Sequence, residues 1–395
     1  MVKDGEGYDP TRQAPESLVG RLPMGAWPVS PDDWREAARA RLEPGPWGYL
    51  EGGAGGEETL RANRAAFGRW ALRPRILRDV AERDLSVEVL GRRLPVPFLL
   101  APVGIQSVMH PDADEASARA AAARRIPFVA STFASLPMER LAAAMGDAPR
   151  WFQLYAGRNR EITASMVERA QAANFEALVV TVDTVLLGWR ERDLGHSFVP
   201  FTGMRGMANH LSDPVFLALL ARPAAEDPEA AMRTFDSLFA NPSLSWPDID
   251  AIRALWRGPL WLKGVTHPDD ARMAADHGVD GVIVSTHGGR QVDGAIAALD
   301  ALPAVVEAVG DRMAVLMDSG IRRGADVLKA MALGAQAVLI GRLYQYGLAA
   351  GGEAGVGRVL DNLAADLDVT LALCGRRDLV ALDRSLLARI SVGGG

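Results

Sequence analysis

Three apolar runs of this 395-residue chain lead directly into groups able to move protons or hold charge: ALVVTVD at Asp183, LWLKG at Lys263 and GVIVSTH at His287. An imidazole titrates near neutral pH, so His287 can accept a proton, and Arg290, three residues on, can hold an anion in the same cavity. Asp183 can orient that imidazole and stabilise its protonated form; as an alternative it is a capping carboxylate. Lys263 follows apolar residues, where an ammonium needs an anionic partner. It suits a Schiff-base lysine, a partner for an electron-rich cofactor ring, or a lysine whose head snorkels to water. Among the other histidines, His267 precedes Pro268 as at a helix start, and His277 precedes Gly278 as at a helix end. His110, His196 and His210 fall in loops and carry no readable role.

A second pair of segments, DSGIRRG (318–324) and IGR (340–342), suits an anion. Gly320 and Gly341 let backbone N–H groups approach it, a helix starting near Gly324 adds its positive end, and Arg342 can pair bidentately. The plainer alternative is a capped turn with solvated arginines.

The elements that must position these groups repeat along the chain. Continuously apolar, β-rich runs begin at 97, 127, 150, 177, 260, 281, 314 and 337, and helix-favouring stretches such as 113–124, 160–173, 268–277 and 324–333 lie between them. Continuous apolar character means that both faces are covered, as in a parallel sheet. Eight such units predict a (β/α)8 TIM barrel. A doubly wound sheet would show G-x-G-x-x-G after an early strand, and neither that nor a P-loop is present. In a barrel the C-terminal strand ends carry the chemistry. They read Pro102-Val103-Gly104, Ser131, Gln153 and Tyr155, Thr181 and Asp183, Lys263, Ser285 and His287, Asp318, and Gly341-Arg342.

The regular spacing breaks once, with 83 residues between the starts of strands 4 and 5. The insertion, 195–247, follows strand 4 on the active face and reads as a lid, or as a surface excursion or oligomer contact. Residues 31–90 read as one or two helices with a hairpin around Val87–Val96, and 354–391 as two helices, all packed onto a barrel at about 95–350. The whole of 1–395 reads as one domain. Hydrophobic residues make up 49% and charged residues 23%, the balance of a folded globular chain. With 43 Lys+Arg against 49 Asp+Glu, no basic surplus exists for nucleic acid. One cysteine, no zinc-ligand spacing, no membrane-length apolar run and no leader-like N-terminus point to a cytoplasmic protein without a metal.

The chain resembles the FMN-dependent L-2-hydroxy acid oxidases and dehydrogenases. The likeness rests on GYLEGGAGGEETLRAN, LRPRIL, LLAPVG, FQLY, TVDT, GWRERD, LKG, STHGGRQ, DSGIRRG and IGR, all in the family's order. Within the family, AERDLSVEVLG, GWRERDL, DPVF, SWPDID and the insertion look most like lactate 2-monooxygenase. The resemblance implies FMN as cofactor, a small 2-hydroxy acid and O2 as reactants, and a homo-oligomer (tetramer or octamer). It makes His287 the base, supported by Asp183, and Arg190 and Arg290 the clamp on the substrate carboxylate. Tyr49 and Tyr155 would bond the substrate's oxygens, and Lys263 would face flavin N1. Pro102, Val103, Gly104, Ser131, Gln153, Thr181 and Ser285 would line the flavin; Asp318, Gly320, Arg322, Gly341 and Arg342 would hold the ribityl chain and phosphate. Thr286 stands where Asn usually precedes the histidine, and Ser319 where many members have Gly. Gly104, where plain oxidases usually carry Ala, would enlarge the space beside the flavin and favour decarboxylation of the product, or serve only close backbone approach. The alternatives are a 2-hydroxy acid oxidase releasing 2-oxo acid and hydrogen peroxide, on a larger or aromatic substrate, and a flavin-free barrel (aldolase or phosphate-binding module).

Overall fold

The computed structural model describes residues 27–380 and 382–390; the N-terminus, read above as lacking a leader, lies outside them. Eight parallel strands close a barrel: β1 (Phe98–Leu100), β2 (Phe128–Ser131), β3 (Arg150–Leu154), β4 (Ala177–Thr181), β5 (Leu260–Val265), β6 (Gly281–Val284), β7 (Ala314–Met317) and β8 (Ala337–Ile340). They follow one another round the ring, and β8 pairs with β1 to close it. Every strand residue except Gly264 is buried, which is why these runs show no alternation. Trp151 of β3 and Trp261 of β5 stack at 5.3 Å. Gly281 opens β6 because a Cβ there would collide with the Trp261 ring.

The expected helices form at Ala113–Ala122, Arg160–Ala172, Pro268–Asp276 and Gly324–Ala332. Their ends follow local chemistry. Asn159 accepts from the N–H groups of Glu161 and Ile162, and the His267 ring accepts from Asp269 N, as its place before Pro268 suggested. His277 closes the same helix with Nδ1 2.7 Å from Asp250.

Three strands are shorter than the apolar runs implied. β4, β6 and β7 end at Thr181, Val284 and Met317, so Asp183, His287 and Asp318 stand in the loops just beyond. After β6 and β7 the backbone leaves the extended region: His287, Gly288, Gly289, Ser319 and Gly320 all have positive φ, which no ladder accommodates.

The extensions also differ from expectation. Ahead of the barrel lie three helices, Pro31–Arg39, Pro44–Glu51 and Glu58–Gly68, not one or two. The middle one, PGPWGYLE, is poor in helix formers and starts on a proline. The hairpin forms as Val87–Val89 with Arg92–Leu94. Beyond the barrel, two helices do not form over 354–391. One helix runs Arg342–Leu373, interrupted only at Gly351–Gly352. The chain then turns at Gly375 (φ 69°), and Leu387–Arg389 pairs antiparallel with Trp70–Leu72.

The insertion after β4 is helical and tied down in its middle. Asn209, fully buried, accepts from Met138 N at 2.8 Å and donates to the carbonyls of Ser131 and Thr132. Asp213 caps the helix Pro214–Ala218 and meets Arg169 at 3.1 Å. Because both anchors are polar and buried, this stretch belongs to the barrel rim. The parts on either side of it reach over the strand ends.

Candidate active site

A cavity opens at the C-terminal strand ends, where barrels carry their sites. Most of the expected site residues line it: Tyr49, Pro102, Val103, Gly104, Ser131, Tyr155, Arg190, Lys263, His287, Arg290, Asp318, Gly320, Arg322, Gly341 and Arg342. Four stand one step behind. Asp183 and Ser285 bond to lining groups, Gln153 lies 3.2 Å from the Ser131 hydroxyl, and Thr181 is in register with Lys263. The insertion adds Pro200, Phe201 and Phe239 to the wall.

His287 Nδ1 lies 2.9 Å from Asp183 Oδ1, which leaves Nε2 as the nitrogen available to a ligand. Thr184, unread in the sequence, places its hydroxyl 3.2 Å from the same Nδ1 and 2.9 Å from Asp183. Gly264 makes this contact possible, since a Cβ there would come within 2.5 Å of Asp183. Burial works against a charged imidazole and outweighs the Asp183 carboxylate, so His287 is held below its ordinary range, as a neutral base requires. Asp183 itself is buried, but His287 and Lys263 keep its carboxyl below the usual value.

Lys263 has the anionic partner its burial demands. Its Nζ is 2.9 Å from Asp318 Oδ2 and donates to Ser285 Oγ at 2.8 Å. Burial opposes the ammonium, but Asp318 and Asp183 outweigh it and hold Lys263 above its ordinary value. Asp318 also lines the cavity, so its pairing with Lys263 adds to the part expected of it at a ribityl chain. Its Oδ2 is paired with Lys263, and its Oδ1 accepts from the Ser319 hydroxyl.

Four arginines line the cavity, and among the described residues none of Arg190, Arg290, Arg322 and Arg342 has a carboxylate within ion-pair distance. Arg290 is held by the carbonyls of Tyr49 and Gly52 and lies over the Tyr49 ring at 4.9 Å. Arg190 Nε donates to the Arg290 carbonyl at 3.2 Å. Arg342 bonds the carbonyls of Leu50, Gly52 and Gly288. Burial works against the charges of Arg290 and Arg342, and at Arg290 the proximity of Arg190 does so too. Buried guanidinium groups bonded only to neutral carbonyls call for anions. Tyr49 and Tyr155 are raised by burial, so both remain neutral donors.

One expected anion feature is misplaced. The amides that open the helix at Gly324 are already taken: Arg322 N and Arg323 N donate to Asp326, and Gly324 N to Asp366. The helix starting at Arg342, whose cap Gly341 lines the cavity, offers its first-turn amides instead. At Gly104, which lines the cavity, a methyl would come 3.0 Å from Phe133 Cβ and 3.3 Å from its carbonyl, so the glycine lets Phe133 pack close.

Beside this geometry, the model for FMN-dependent dehydrogenases matches residues 38–389. The chain belongs to the FMN-dependent dehydrogenase family. It is 43% identical over 356 residues to the L-lactate oxidase of Lysinibacillus sphaericus, covering 90% of this chain and 92% of that one. It is 41% identical over 379 residues to an FMN-dependent alpha-hydroxy acid dehydrogenase of Penicillium citrinum, covering 95% and 94%. The crystal structure of mandelate oxidase superposes with a TM-score of 0.81 at 37% identity, over 91% of this chain and 98% of that one. This family member is therefore an FMN-dependent oxidoreductase acting on 2-hydroxy acids. Among the described residues no helix is long and apolar enough to cross a membrane.

The residues present fit FMN. Gln153 Nε2 and Thr181 Oγ1 are buried without a hydrogen-bond partner among the described residues, a cost of about 1–3 kcal/mol each that a polar ring edge would remove. Sequence reading missed Phe133, Phe201, Phe239 and Thr184, and noted Ser319 without giving it a role. The first three carry no polar group to notice, and the last two flank the acidic residues that drew attention.

Proposed function

We propose that this protein oxidises an L-2-hydroxy acid with O2 as electron acceptor, the product being decarboxylated before it leaves, as in lactate 2-monooxygenase. The observation that carries the first part is the His287–Asp183 pair sharing one cavity with Arg190 and Arg290. The two guanidinium groups bind the substrate carboxylate, and Tyr49 and Tyr155 donate to its oxygens. His287 Nε2 receives the α-hydroxyl proton, and Asp183 stabilises the imidazolium that results. Lys263 supplies a fixed positive charge, while Gln153, Thr181 and Ser131 would hold the ring of FMN, and Arg322, Gly341 and Arg342 its phosphate. Bound FMN supplies the acceptor for the α-hydrogen and its electron pair.

Pro200, Phe201 and Phe239 support the second part, because a covered chamber keeps the 2-oxo acid near hydrogen peroxide. The two then give the acid one carbon shorter, carbon dioxide and water. The aromatic wall of Phe133, Phe201 and Phe239 favours the other outcome, release of 2-oxo acid and peroxide from a larger or aromatic substrate. Purified protein tested against a panel of L-2-hydroxy acids in air, with oxo acid, peroxide and shortened acid all quantified, decides between them. Stoichiometric peroxide from the best substrate would refute the decarboxylating reading. Protein that yields no FMN on denaturation would refute both.

A further inference from the structure

The loop that carries His287 is the most contorted backbone of the site. His287, Gly288 and Gly289 have φ of 54°, 67° and 75° in succession. Left-handed backbone at a non-glycine residue costs about 1–3 kcal/mol and persists only where the surroundings impose it. Arg342 holds the Gly288 carbonyl and Asn63 the Thr286 hydroxyl, and one further side chain outside the loop holds its amides. Ser319, 6% exposed, accepts from Thr286 N at 3.2 Å and from Gly288 N at 3.0 Å, the amides on either side of His287. Its own hydroxyl donates to Asp318 Oδ1 at 2.7 Å, so one oxygen serves three bonds.

Those bonds close a ring. Asp318 pairs with Lys263, Lys263 donates to Ser285 Oγ, and Ser285 Oγ accepts from His287 N at 2.9 Å. The loop is thus held from below through Ser285 and from the side through Ser319. Ser319 has φ of 75°, a conformation that only glycine adopts without strain. The hydroxyl therefore occupies a backbone that disfavours any side chain, and its three bonds are what it contributes there.

We propose that Ser319 is a positioning residue: it clamps the amides flanking His287 and ties the loop that holds the base to the Lys263–Asp318 pair. The proposal rests on His287 acting as base. Ser319 lines the cavity, but its bonds go to the His287 loop and Asp318 and none goes to Arg190 or Arg290, so its role falls on the proton-transfer step and not on the carboxylate clamp.

Two variants of the FMN-loaded enzyme test this. Ser319→Gly removes the hydroxyl and relieves the backbone, whereas Ser319→Ala removes the hydroxyl and keeps the strain. Both should slow anaerobic flavin reduction by about tenfold, the loss expected for one hydrogen bond's worth of alignment, with unchanged substrate dissociation constant and FMN content. Hydrogen exchange in the substrate-free protein should quicken in a peptide spanning 285–290 and nowhere distant. Wild-type reduction in Ser319→Gly overturns the proposal. A loss in Ser319→Ala that Ser319→Gly does not share makes backbone strain the cause, and also overturns it. Loss of FMN or faster exchange throughout the barrel assigns Ser319 a general structural role, again against the proposal. His287→Ala run alongside separates the two claims: if it reduces normally the base assignment fails, and if it does not, a normal Ser319→Gly refutes the clamp alone.

Discussion

The side of the cavity built from the ends of β5, β6 and β7 is a circuit of directional bonds, Lys263 to Asp318 to Ser319 to the His287 loop and back through Ser285. The side built from β2 and the insertion is aromatic: Phe133 stacks on Tyr155 at 4.8 Å and meets Phe201, Phe235 and Phe239 edge-on at 5.0 to 5.7 Å. Hydrogen bonds fix distance and angle, while ring contacts fix little beyond proximity. The polar wall therefore holds the groups that must be placed within tenths of an ångström. The aromatic wall covers the chamber and can shift without disturbing them.

The sharpest way to break the polar wall is Lys263→Met. It leaves the Asp318 carboxylate buried without its counter-charge, and stability should fall by about 3–5 kcal/mol in denaturant unfolding of the holoprotein. A loss under about 1 kcal/mol would mean that the circuit is not held by charge.

The aromatic wall has its own weakness in His210. Burial among Phe133, Phe216 and Phe235 pushes its imidazole down to about 4. The unfolded chain, with an ordinary imidazole, then binds more protons below about pH 6.5, so stability falls as pH drops from there towards the depressed value. At about 1.4 kcal/mol per unit this amounts to roughly 3 kcal/mol at pH 4. His210→Phe should flatten that acid limb of a melting-temperature profile. An unchanged slope would place the titrating group elsewhere.

Much of the polar wall was legible in the sequence, because Lys263, His287 and the DSGIRRG segment each follow an apolar run that must bury them. What was not legible was partnership. Asp318 could not be assigned to Lys263 before β5 and β7 were known to flank β6 in one barrel, and the amides at Gly324 could not be known to be taken by Asp326 and Asp366. The aromatic wall was nearly invisible. Phe201 and Phe239 lie 38 residues apart inside an insertion without strand or barrel periodicity, and it takes anchors such as Asn209, Asp213 and Asn241 to bring them over the cavity. The barrel itself was readable since both-face burial leaves so plain a pattern, but strand ends were overrun wherever positive φ intervened.

The substrate clamp lies between the walls. Arg190→Lys keeps the charge and loses the planar fork, so the dissociation constant for a 2-hydroxy acid should weaken about tenfold, with Arg290→Lys at least as affected because Arg290 also holds Tyr49 and Gly52. Unchanged binding in both would put the carboxylate elsewhere. The smallest effect is expected at Gly104→Ala. Its methyl presses on Phe133, which must yield by a few tenths of an ångström. Reduction should change by less than about tenfold, under 1.4 kcal/mol, while the product ratio moves towards oxo acid and peroxide. A constant ratio would leave Gly104 as a packing residue only.

The central claim, that His287 takes the hydroxyl proton as a 2-hydroxy acid is oxidised, is tested most directly by anaerobic stopped-flow mixing. Wild-type holoprotein and His287→Ala, each with its full FMN complement, are mixed with L- and D-2-hydroxy acids across a pH series. The wild type should be bleached by the L-acids alone, at a rate level through neutrality that falls only on the acid side of about pH 6.5, because His287 is held below that value. His287→Ala should be slower by at least about 10²–10⁴-fold. A variant that bleaches at the wild-type rate would contradict the account.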